Sequence, residues 1–162
     1  MDEVEKLIEQ LKEGKINAAK ALGKIGDERA VEPLGQIFAD DEGGHGDYMR
    51  SIAAMALGKI CTEQAVGYLM WELFDSDSSE DVRYWAAEAL GKARVKNRNS
   101  EAILFEVCIN DKNERVRKSA LKSLLEIKRK ELLTVFGLED ERVRKPAAKS
   151  LEEIKRKDSE EQ

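Results

Sequence analysis

Apolar residues in this chain recur at helical spacing and are broken by short polar corners. Val4, Leu7, Ile8 and Leu11 fall at i, i+3, i+4 and i+7, one face of a helix that Gly14 ends. Ile16, Ala19, Leu22 and Ile25 form the next face. Gly26-Asp27 then supplies a left-handed stop and a side chain able to cap the following helix. That third helix carries Ala30, Val31, Leu34 and Phe38, with Pro33 held to its first turn because proline lacks the N–H a helix interior needs. After an irregular stretch at 39–48 come Met49, Ala53, Leu57 and Ile60, and then Thr62 as a cap before Ala65, Val66, Leu69 and Leu73. A polar joint at 75–81 leads to Val82, Ala86, Ala89 and Leu90. A basic corner at 94–100 ends on Ser100, read as the cap of a helix burying Ile103, Leu104, Val107 and Cys108. Val116, Ala120, Leu121, Leu124 and Ile127 follow, with a shortened helix predicted around Leu132, Leu133 and Phe136. The last helix carries Val143, Ala147, Leu151 and Ile154, and Pro146 should kink or delay it.

These faces repeat. Residues 21–34, Ala-Leu-Gly-Lys-Ile-Gly-Asp-Glu-Arg-Ala-Val-Glu-Pro-Leu, have echoes at 56–60, 89–93, 123–127 and 150–154, and the anchor leucines Leu22, Leu57, Leu90, Leu124 and Leu151 are 35, 33, 34 and 27 residues apart. A period in the thirties is the mark of stacked helical hairpins. The expected organisation is a single domain over 1–157 and a polar tail at 158–162, whose charge suits the end of a stack. At 162 residues the chain can bury a core without disulfides or metal.

Leu22-Gly23-Lys24-Ile25-Gly26-Asp27, followed by Ala30-Val31 and Pro33-Leu34, resembles the short HEAT-like repeat of the phycobilisome-lyase type. So does the Val-Arg pair that stands seven residues before the later anchor leucines. The resemblance covers roughly residues 15–157 and implies an all-α fold: a right-handed α-α superhelix, or HEAT-like solenoid, of about four hairpins plus capping helices. Arg50, Arg83, Arg117 and Arg144, with Lys15 in the first copy, each lie seven residues before an anchor leucine. Seven residues return to within about 20° of the same helix face. The cations therefore belong to the packing stripe. The resemblance implies a ladder, with Asp77, Asp81, Asp111 and Asp140 as candidate partners.

Charge narrows the function. The net charge is -5, but residues 1–81 hold 8 Lys/Arg against 18 Asp/Glu, and residues 82–162 hold 20 against 15. An acidic chain is disfavoured for nonspecific nucleic-acid binding, which needs clustered cations. Cys61 and Cys108 lie far apart with no CxxC spacing, so reduced thiols are expected rather than a disulfide framework or zinc site. The charged start, Met1-Asp2-Glu3-Val4-Glu5-Lys6, has no apolar core of a signal peptide, and no apolar run reaches the ~20 residues of a membrane span. The expected location is cytoplasmic.

Catalytic constellations are not found. HEAT-like di-iron hydroxylases are built on repeated His-Glu pairs, and this chain has one histidine, His45. His45 with Asp40, Asp41, Glu42 and Asp47 sits in a glycine-rich loop without the surrounding support of a good metal site. The run Asp75-x-Asp77-x-Ser79-x-Asp81 has Glu80 where a calcium loop turns on Gly and Ala86 where it needs Glu. Gly43-Gly44-His45-Gly46 follows no strand and lacks a phosphate-binding Lys-Ser/Thr. No cofactor, metal or catalytic residue is expected.

One aromatic departs from the pattern. In the helix containing Leu69, Trp71 points about 160° away from the core face, with Gly67 and Phe74 beside it. An exposed tryptophan is a candidate anchor for a partner. Packing against a neighbouring helix is the competing reading, and Trp85, near a core boundary, is read as structural. The expected function is a non-catalytic scaffold, a monomer that binds a protein or peptide on a groove containing Trp71, Phe74, Gln36, Glu32 and Glu106. The alternatives are an accessory lyase-type protein handling a cofactor and, behind it, a nucleic-acid-binding protein.

Overall fold

The local signals form helices joined by capped corners. The computed structural model describes residues 1–39, 46–75, 77–93 and 98–135. By contact the chain divides into two units, Met1–Glu126 and Ile127–Gln162. The account below concerns the first, and of the second only the residues that continue its last helix.

The helices are α1 (Glu3–Lys12), α2 (Ile16–Ile25), α3 (Val31–Ala39), α4 (Asp47–Ile60), α5 (Glu63–Phe74), α6 (Glu80–Lys92), α7 (Arg98–Asn110) and α8 (Glu114–Val135). A 3-10 turn, Glu28–Ala30, leads into α3. The caps act as the residues dictate. Asp2 and Glu5 form a reciprocal capping box on α1. Gly26 takes a left-handed φ of 76° and its N–H bonds the carbonyl of Leu22, while Asp27 accepts the N–H of Arg29 at 2.9 Å. Thr62 Oγ1 accepts the N–H of Ala65, and Ser79 Oγ that of Val82.

Two layers result. α2 packs on α4 and α4 on α6; α3 packs on α5 and α5 on α7. Leu22, Leu57 and Leu90 lie buried in the first layer, and Leu34, Leu69 and Leu104 in the second. The first layer is closely spaced because glycine follows each anchor leucine. A Cβ on Gly23 would lie 2.7 Å from the Cα of Ala56, one on Gly58 would lie 2.6 Å from the Cβ of Ala89, and one on Gly91 2.5 Å from the Cβ of Ser123. Real side chains do not approach so closely, so each glycine admits the next repeat's helix. In the fourth copy Leu125 stands in the glycine's place and is 60% exposed.

Several expectations are corrected. No corner separates Ile127 from Leu132: α8 continues to Val135, because Lys128-Arg129-Lys130-Glu131 are all good helix formers with no glycine, asparagine or proline to stop them. Ser100 does not cap α7, which begins two residues earlier; it is a buried residue of the first turn. Ile25 and Leu121, placed on apolar faces, are largely exposed. The 40–45 loop with His45, and residues 136–162 with Arg144, Asp140, Phe136 and the last helix, lie outside the described residues.

The arginine stripe turns inward as its spacing requires. Arg83, 3% exposed, donates from Nε and Nη2 to both oxygens of Asp111 at 2.8 and 3.2 Å, and from Nη1 to the carbonyl of Ser78. Arg117 donates to the carbonyl of Asp111 at 2.7 Å. Arg50 donates to the carbonyl of Phe38 at 3.1 Å, and its carboxylate is Glu72, 3.4 Å away. The Ser78 hydroxyl donates to the same Glu72. A polar line thus runs from Phe38 through Arg50, Glu72, Ser78, Arg83 and Asp111 to Arg117. Asp77 and Asp81 are not in it; Asp81 pairs at the surface with Arg115. Buried pairs of this kind are a poor source of net stability, and setting register is their best-attested use.

Candidate functional site

α3 and α5 carry the candidate surface. The apolar stripe of α5, Ala65, Val66, Leu69 and Leu73, is buried, which turns Gln64, Gly67 and Trp71 outward. Trp71 is 52% exposed. It lines a hollow of about 480 Å³ together with Gly35, Ala39, Gln64, Gly67 and Tyr68. The hollow is set by what the glycines lack. The ring of Tyr68 lies directly over Gly35, where any Cβ would collide with it, and nothing occupies the space a Cβ would fill at Gly67.

Tyr68 is held in place by Glu32. Its hydroxyl donates to Glu32 Oε2 at 2.7 Å, and Gln64 Nε2 donates to the same oxygen at 2.9 Å. The hydrogen bond to the carboxylate, and then partial burial, raise the Tyr68 phenol above its ordinary range. The remaining oxygen, Oε1, has one long contact of 3.5 Å from Gln36 Nε2.

The five residues proposed from sequence fall into two places. Trp71 lines the α3–α5 hollow, and Glu32 and Gln36 stand behind its wall. Phe74, 68% exposed, and Glu106 line a second hollow of about 280 Å³ with Asp75, Asn110 and Lys112. Glu106 accepts a hydrogen bond from Asn110 at 2.6 Å. Exposed Phe105 and Ile109 lie on the same helix, α7, and were not singled out, although their spacing opposite Leu104 marks them as outward. Tyr68 and Gly35 were also missed. Their contact joins two helices, and only a glycine leaves room for the ring to lie so close. Trp85 packs edge-on against Tyr84, centroids 5.2 Å apart.

A third hollow, between α6 and the first part of α8, is lined by Tyr84, Glu88, Arg115, Lys118 and Lys122 among others. Its cations are internally matched: Arg115 with Asp81, Lys118 with Glu114 and Lys122 with Glu88.

The repeated hairpin, the buried arginine stripe and the glycine joints all speak for one architecture, and the comparison with known families agrees. The family described as HEAT repeats matches residues 4–91 and again 68–136. The chain is a HEAT-repeat protein. No curated protein matches it. Among the described residues of this HEAT-repeat chain, no group of three or more His, Cys, Asp or Glu gathers as a metal site. Among the same residues, no helix is long and apolar enough to cross a membrane.

Proposed function

We propose that this HEAT-repeat protein is a non-catalytic scaffold that binds a protein or peptide partner on the face formed by α3 and α5, with Trp71 as the anchor. The observation that carries the reading is the half-exposed indole of Trp71 beside an open apolar hollow on helices fixed by a buried polar line. Large exposed aromatics next to a concavity are where binding energy concentrates, and a rigid frame loses little freedom on binding. Glu32 supports the hollow through its bonds to Tyr68 and Gln64, with Gln36 against it, and Phe74, Glu106, Phe105 and Ile109 lie on the same layer of helices. On this reading the protein acts as a cytoplasmic monomer without a cofactor, and residues 1–157 serve as one domain.

The test is affinity capture from the native cell with wild type and Trp71→Ala, followed by titration of the purified partner. An affinity loss of about tenfold or more is expected for Trp71→Ala, the scale of an anchor residue. Equal affinity would overturn the assignment of the surface. Binding of a tetrapyrrole by the purified protein, seen as visible absorbance, would favour the cofactor-handling alternative. Salt-sensitive binding of DNA or RNA would favour the nucleic-acid one.

A further inference from the structure

One arginine of the inward stripe bridges the two helices that wall the hollow. Arg50, on α4, donates from Nη2 to the carbonyl of Phe38 at 3.1 Å and reaches Glu72 Oε1 at 3.4 Å. Phe38 precedes Ala39 on α3, and Glu72 follows Trp71 on α5; Ala39 and Trp71 both line the hollow. A single guanidinium therefore ties α3 to α5 at the end where the indole stands.

That tie is half made. In the next repeat Arg83 grips Asp111 with the whole fork, Nε to one oxygen at 2.8 Å and Nη2 to the other at 3.2 Å. Between Arg50 and Glu72 only the Nη2–Oε1 side is present. Arg50 Nε and Glu72 Oε2, the two atoms a fork would join, are buried and have no partner among the described residues. An ionised carboxylate accepts from both nitrogens of a fork, whereas an oxygen that carries a proton has lost that role. The observed pair is thus the one a protonated Glu72 would make.

The surroundings of Glu72 agree. It is fully buried, and burial is the first cause lifting its carboxyl above the ordinary range. From α4 it faces Arg50, which opposes the rise, and Asp47, which adds to it; from the corner after α5 it faces the Ser78 hydroxyl, which opposes, and Asp75, which adds. The charges of the other helices packed on α5 are engaged elsewhere: Arg83 of α6 with Asp111, Glu32 of α3 with Tyr68 and Gln64, and Glu106 of α7 with Asn110.

We infer that the Arg50–Glu72 pair is a proton-operated tie that sets the width of the α3–α5 hollow. When Glu72 releases its proton to solvent, Oε2 takes Arg50 Nε, the fork closes as it does at Arg83, and the Trp71 end of α5 draws towards Phe38. When Glu72 is protonated, the Nη2 contact alone remains and the hollow is open. A partner's affinity then depends on pH, a consequence that rests on reading this face as the binding surface; the tie itself does not.

The experiment needs no partner. In the full chain with Trp85→Phe, which keeps a ring against Tyr84, Trp71 is the one remaining indole. Carboxyl-carbon NMR follows Glu72, and acrylamide quenching follows Trp71, from about pH 4 to about pH 8. Glu72 should titrate above the ordinary glutamate range, and the quenching constant should fall about twofold with the same midpoint as the closed population grows. Glu72→Gln should hold the open value throughout. Arg50→Lys keeps the charge but not the fork, so the carboxyl should still titrate while the indole no longer responds. Constant quenching across the Glu72 titration, or a response that survives in Glu72→Gln or Arg50→Lys, would overturn the tie and leave the binding surface standing. Equal partner affinity for Trp71→Ala would overturn the surface and leave the tie.

Discussion

Glu72 enters α5 between Trp71 and Leu73 and is fully buried, an acid placed among apolar side chains. Burial lifts its carboxyl above the ordinary range; the Ser78 hydrogen bond and Arg50 pull it down, while Asp75 and Asp47 push it further up. Neither Glu72 Oε2 nor Arg50 Nε has a hydrogen-bond partner among the described residues. Folding thus favours the protonated acid. Its contribution is present below the pKa of the unfolded chain and is lost as pH rises through the folded value. Glu72→Gln removes this titration, so its stability relative to wild type should move in the variant's favour between about pH 4 and about pH 7. Urea unfolding at both ends of that range measures it, and a flat or opposite trend would show that Arg50 dominates. Cys61 makes a second single-residue case. It occupies at φ 59° the left-handed stop that Gly26 occupies at 76° one repeat earlier. A side chain there costs roughly 1–2 kcal/mol. Part of that is regained in Cys61→Gly, which should raise the thermal midpoint by about 2–4 °C in calorimetry.

Among the helices, glycines that look alike in sequence play opposite parts. Gly58→Ala drives a Cβ into Ala89 on the neighbouring helix and should destabilise by about 1–3 kcal/mol, as overpacking does. Gly67→Ala meets open space within a helix and should stabilise by about 0.5–1 kcal/mol. Because its methyl enters the hollow beside Trp71, the same change should weaken partner binding, a split that denaturation and titration together can read. If Gly67→Ala is stabilising and binds normally, the partner does not use that part of the surface. Helix positions, corners and the core were legible because period, caps and breakers act locally: Gly26, Thr62 and the buried Ala65-Val66-Leu69-Leu73 stripe needed no tertiary knowledge. What was not legible depended on other helices. Arg50's partner is Glu72, which lies about 60° from Leu69 on the wheel and so could have been placed at the core edge. The ring of Tyr68 over Gly35 needs two helices at once. The length of α8 was misread because a repeat was expected to turn where no residue makes it turn, and Ile25 and Leu121 were read as buried on spacing alone, without knowing which neighbours cover them.

Over the molecule as a whole, the arginine line and the glycine joints divide the labour of stacking, one by polar geometry and one by distance. Arg83→Ala would strand Asp111, which is 7% exposed, and should cost about 3–5 kcal/mol, far more than loss of a surface pair; equilibrium unfolding checks it. The glycine joint has a further consequence for how such a chain can grow. At each glycine joint two positions meet: glycine after one anchor leucine, and alanine or serine before the next. A second copy of residues 58–90, spliced after Leu90, would present the same two halves at both new seams. The lengthened chain should fold with one more helix pair, showing proportionally more helical ellipticity and a steeper denaturant dependence. Splicing the copy after Leu124 instead makes Gly58 the follower of that leucine and moves Leu125 behind the copy.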